Sequence, residues 1–270
     1  MYLAAILAPE PLCLQVCQCE KFLYFGVHVD AVECGVCGKS VQTACSAMYI
    51  DVSQLVKLWK SNPAVAQLLT YSTWRTDVKE DTSNDIYDGS LFQELSNNHD
   101  MTKDVIFGLA PDGICLPSKR NAKKGVWVVS AICVSLPPWV RTKKEWIMPF
   151  IILPANRQGG SEPNLHTYYG PLSQMLHDSV EEGVGVYNAY TKQIEISRVH
   201  ILYQVADAPG YAVVVGHNMG GHFGCVQICK QQVGFTVCST TIFDNAQQHA
   251  HFQVLHAHFR SREAVGVVCT

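Results

Sequence analysis

Ile106-Phe107-Gly108-Leu109-Ala110-Pro111-Asp112-Gly113-Ile114-Cys115-Leu116 and Arg198-Val199-His200-Ile201-Leu202-Tyr203-Gln204-Val205-Ala206-Asp207 are two apolar runs, each interrupted or ended by an aspartate. Both have the length and apolar content of buried strands. Between them lie two further apolar runs, residues 126–135 (VWVVSAICVS) and 146–153 (WIMPFIIL), and then a helical stretch, residues 171–183 (PLSQMLHDSVEEG). The order strand, strand, strand, helix, strand predicts a three-stranded meander, with a helical crossover that returns the fourth strand parallel to the first. In that arrangement Asp112 and Asp207 stand side by side on neighbouring strands.

This order resembles the front half of a ribonuclease-H-type core. Paired carboxylates in such a core hold divalent metal, because phosphodiester chemistry needs an activated attacking oxygen and a neutralised leaving oxygen. Taken singly, Asp112-Gly113 and Asp207-Ala208-Pro209-Gly210 are also ordinary turn signals. Their place in the strand order is what singles them out.

The chain of 270 residues, 48% hydrophobic, can bury one substantial core and a small satellite module. No apolar run reaches the eighteen or so residues of a membrane span, and the opening Met1-Tyr2-Leu3-Ala4-Ala5-Ile6-Leu7-Ala8 lacks the basic flank of a secretory signal. An intracellular protein with no membrane partner is expected. The net charge of −3 weighs against a dedicated nucleic-acid binder. Local charge is more informative: Lys119, Arg120, Lys123 and Lys124 fill the turn after the first strand, and Arg141, Lys143 and Lys144 the turn after the second. They are candidate phosphate contacts, or the solvated residues of hairpin turns.

Six of the twelve cysteines lie between Cys13 and Cys45. Intracellular thiols are kept reduced, so this clustering favours metal over disulfides. Cys13, Cys17, Cys34 and Cys37 are the expected tetrahedral zinc ligands, with Cys19 as a substitute for Cys17 and inert buried cysteine as the alternative. Cys34-Gly35-Val36-Cys37-Gly38 is the more specific half. Residues 1–48 are therefore expected to form a zinc-ribbon-like module, too poor in apolar residues to fold unaided. Residues 49–103 follow as a helical and acidic connector, with two short helices joined at Asn62-Pro63 and a further amphipathic helix using Tyr87, Leu91, Phe92 and Leu95. Residues 104–270 hold the core. Near its end, Cys225 and Cys229, with Cys238, His249, His251, His256 and His258, form a candidate second zinc cluster or a strand edge.

With these features placed, the chain resembles the transposases of CACTA-type (En/Spm) DNA elements, particularly those abundant in fungi. The resemblance rests on Glu33-Cys34-Gly35-Val36-Cys37-Gly38, Asp85-Ile86-Tyr87-Asp88-Gly89-Ser90, Asp112-Gly113, Leu136-Pro137-Pro138-Trp139-Val140-Arg141, Gly170-Pro171-Leu172 and Asp207-Ala208-Pro209-Gly210, and covers about residues 13 to 260. It implies an incomplete ribonuclease-H-like α/β core in a nuclear protein that cuts and joins DNA at element ends with magnesium or manganese. DNA and a second copy of the chain are the expected partners. By the same resemblance Asp112 and Asp207 are the first two acids of an Asp, Asp, Glu triad, and Cys225 and Cys229 open a cysteine- and histidine-bearing insertion before the third. Glu263 is the sole glutamate after Asp207 and stands too early for that role. The ending at Cys269-Thr270, directly behind apolar residues, reads as a truncation, so a catalytically inactive DNA- or protein-binding remnant is the alternative.

Overall fold

A computed structural model describes residues 8–76, 83–115, 125–153 and 165–207. Its centre is the predicted meander, β4 (Val105–Cys115), β5 (Gly125–Cys133) and β6 (Ile147–Leu153), antiparallel throughout. β9 (Val199–Gln204) joins the free side of β4 in parallel, as the strand order requires. Two prolines lie within these strands. Pro149 in β6 falls at the register shift between Val129 and Ser130, where the missing N–H leaves no gap in a regular ladder.

The sheet does not stop at the meander. β1 (Leu12–Val16), β2 (Leu23–Tyr24) and β3 (Cys45–Tyr49) continue it through the pairing of Met48 with Ile152 and Tyr49 with Ile151, giving seven strands in the order β2-β1-β3-β6-β5-β4-β9. The cysteine-rich segment thus shares its sheet with the core instead of standing beside it.

Alternation along β4 divides the interior into two layers. Val105, Phe107 and Leu109 face one side, against Val52, Leu55 and Trp59 of α1 (Val52–Lys60) and Leu165, Tyr168, Leu172 and Leu176 of α6 (Leu165–Glu181). Aromatic rings fill this layer, with Trp59 5.8 Å from Phe107 and Phe107 5.0 Å from Phe150 between centroids. Ile106 faces the other side with Tyr87, Val134, Leu202 and the buried Phe92 and Leu95 of α4 (Ser90–Asn98). The described helices of the expected connector, α1 and α4, therefore pack on opposite faces of the sheet.

Local signals explain the helix starts. The Asp51 carboxylate accepts from the amides of Ser53 and Gln54, capping α1, and Asn62 does the same for Ala64 and Val65 at the head of α2 (Pro63–Leu68). A short α3 (Tyr71–Trp74) follows, and Pro138 opens α5 (Pro138–Arg141) after β5.

Two features differ from expectation. α6 begins at Leu165, not at Pro171, because Leu165, Tyr168 and Tyr169 bury on the same face as Leu172, and that burial outweighs the break expected at Gly170-Pro171. A hairpin of β7 (Val184–Asn188) and β8 (Gln193–Ser197) also intervenes before β9. It is tied to α1 by the buried Lys60 ammonium, which donates to the Glu195 carboxylate and the Lys103 carbonyl. Among the described residues no helix is long and apolar enough to cross a membrane.

Candidate catalytic acids and metal centres

Asp112 lies on β4 opposite Val128, and its side chain is exposed. Asp207 lies three residues past the end of β9 and is exposed too. The register between the strands relates the two. Gly108 pairs with Tyr203 and Leu109 with Gln204, the pairing continues as the Val205 amide donates to the Leu109 carbonyl, and the sequence separation of these partners equals that of Asp112 and Asp207. A one-residue shift between Phe107 and Gly108 creates this match, since the pairs before it are one residue out of step. Gly108 is needed there: a Cβ on it would come within 2.2 Å of the Tyr203 ring.

The amino-terminal thiols converge on a different set from the one expected. Cys17, Cys19, Cys34 and Cys37 form one group, with Sγ atoms 3.4 Å apart for Cys17 and Cys37 and 3.7 Å apart for Cys19 and Cys34. Thiolates held at about 2.3 Å by a tetrahedral zinc are separated by about 3.8 Å, so the arrangement fits that ion. Cys13 is not part of it. It sits inside β1 opposite Met48, exposed, while Cys17 and Cys19 occupy the turn that follows the strand. Cys19 therefore joins Cys17 instead of replacing it, and the useful spacing is Cys-x-Cys paired with Cys-x2-Cys.

The second half is a tight loop. Cys34 exchanges backbone bonds with Lys39 and Gly38, Gly38 takes a φ of +68° that favours glycine, and the Val36 and Cys37 amides both point at Cys34 Sγ from 3.4 Å. Burial raises the Cys34 thiol, but the two amides and the neighbouring thiols outweigh it and bring it down to about 7. For Cys17 burial is the larger effect: the Cys19 amide opposes it, the neighbouring thiols add to it, and the thiol is pushed up to about 12.

Of the basic residues, Arg141 is half-buried and turned inward, ion-paired with Asp85 and lying over the Tyr87 ring at 5.9 Å. Its charge is balanced within the fold. Lys143 and Lys144 are exposed. Lys119, Arg120, Lys123, Lys124, Cys225, Cys229 and Glu263 lie outside the described residues.

One family model, described as transposase family tnp2, matches residues 88–265. The match takes in both aspartates and starts after the thiol group. No curated protein and no solved structure matches the chain significantly.

Proposed function

Because the chain belongs to the tnp2 family of transposases, we propose that it is a DNA transposase of the CACTA type, with a ribonuclease-H-like sheet and Asp112 and Asp207 as paired acids of phosphodiester cleavage and transfer. The observation that carries the reading is the β4/β9 register. Carried three residues beyond Leu109 and Gln204, it would set the two exposed carboxylates level on adjacent strands and on one face of the sheet.

Two hard oxygen donors in that position suit magnesium or manganese, which when bound lowers the pKa of an attacking water or terminal hydroxyl and neutralises charge on the leaving oxygen. The role of the protein is to hold both carboxylates at a rigid sheet end, open to a substrate as large as DNA. Lys143 and Lys144 supply exposed positive charge for phosphate contacts. Cys17, Cys19, Cys34 and Cys37 would hold zinc, adding folding free energy to the segment beside β1 and β3. A nuclear location follows from the substrate.

The test is nicking of supercoiled DNA by the full chain with magnesium or manganese. Cleavage that disappears in Asp112→Ala supports the reading. Salt-sensitive DNA binding without cleavage at any metal concentration would instead identify a non-catalytic binding protein.

A further inference from the structure

We propose that His99, Asp104 and His200 form a further divalent-cation site, of the two-imidazole, one-carboxylate kind that takes zinc or a similar borderline ion. Three elements bring the residues together: His99 caps the carboxy-terminal end of α4, Asp104 immediately precedes β4, and His200 is the second residue of β9. Asp104 Oδ2 lies 3.0 Å from His200 Nε2 and 3.9 Å from His99 Nδ1. One donor atom from each residue falls within 4.8 Å of the other two. Ligands about 2.0–2.1 Å from a tetrahedral ion sit about 3.3 Å apart, between the two measured separations.

The supporting shell is also in place. The other Asp104 oxygen accepts from the Arg198 amide at 2.9 Å, which fixes the carboxylate plane as outer-sphere bonds do for metal ligands. Asp104 and His200 are 3% and 2% exposed, so the carboxylate is nearly dry and needs a positive partner. The buried Lys60 ammonium is already held by Glu195 and the Lys103 carbonyl. His99, with its side chain 26% exposed, opens the cluster to solvent and gives an ion a route in and a place for a water ligand.

This site lies at the start of β4 and β9, whereas Asp112 lies eight residues along the chain from Asp104, about 26 Å at the usual strand rise, and Asp207 lies beyond the far end of β9. Its role is structural: one ion would clamp α4 and the starts of the only parallel strand pair among the described residues. It stands or falls independently of the transposase reading.

The rival account is a plain imidazolium–carboxylate pair with no ion. The full chain, loaded with zinc and dialysed, separates the two by metal content and by spectra after cobalt substitution. In His99→Ala, zinc should fall by about one ion per chain, while the thiolate-to-cobalt bands of the cysteine group persist. His99→Cys should keep the ion and add a further thiolate-to-cobalt band, a gain that a misfolded variant would not produce. Unchanged zinc content in His99→Ala together with no new band in His99→Cys would overturn the proposal.

Discussion

Leu109 and Gln204 are partners across parallel β4 and β9, and their sequence separation is the one that divides Asp112 from Asp207. If the two acids act as one unit, their removal is strongly non-additive. Asp112→Ala and Asp207→Ala should each lower metal-dependent nicking on the order of 10⁴-fold, and the double variant little further. Independent, multiplying losses in the nicking assay would show that the aspartates do not share a site.

That register depends on Gly108, whose missing side chain leaves room for the Tyr203 ring. A methyl group there must push the ring out or pull the strands apart. Gly108→Ala should cost about 1–3 kcal/mol in urea unfolding, and combining it with Tyr203→Ala should make the glycine change nearly silent. A full additional cost in the double variant would mean that the ring is not the obstacle.

Cys13 and Cys19 give opposite expectations. Cys19→Ser should remove thiol-bound zinc from the full chain or weaken it by at least about 10-fold, and Cys13→Ser should leave it unchanged. Cobalt absorption reads both directly. Loss of the thiolate bands in Cys13→Ser would restore the spacing-based ligand set.

Much of the central sheet was legible because each of its strands is a mostly apolar run closed by glycine, proline or charge, and the general rule of right-handed crossovers leaves few topologies. The β7/β8 hairpin was not. Tyr187, Ile194 and Ile196 are exposed on its outer face, which blurs the alternation that marks a half-buried strand. Cys13 shows a different limit: spacing counts residues along the chain, but the β1 pleat and the turn after it decide which thiols converge. Arg141 was legible only as a charge in a turn, since its partner Asp85 comes from a distant segment. Likewise His99, Asp104 and His200 form no local motif and meet only through the β4/β9 pairing and α4.

Lys60 and Glu195 are 2% and 9% exposed, so their ion pair is almost wholly desolvated. Burial lowers the Lys60 pKa, and Glu195 works against that shift. Removing one member leaves the other buried and unpaired. Glu195→Ala should destabilise the chain by about 3–5 kcal/mol, and Lys60→Met with Glu195→Leu should recover most of the loss. Equal destabilisation of the single and double variants in chemical denaturation would show that the cost is packing, not charge.

Asp88 makes a two-pronged ion pair with Arg75, at 2.8 and 3.1 Å, and also accepts the Asn84 and Asp85 amides. The Arg75 guanidinium first, and the Asn84 amide after it, hold the carboxyl far below its ordinary value of 3.8. The folded chain therefore keeps this group ionised in acid that protonates it in the unfolded chain. Its stabilisation is fully present above the ordinary carboxylate range and drains away as pH falls below about 4 toward the depressed folded value. Asp88→Asn should cost about 2 kcal/mol at neutral pH and flatten the acid limb of a stability–pH curve, because the variant has no proton left to take up there. Parallel acid limbs for the two proteins would place the acid sensitivity in other carboxylates.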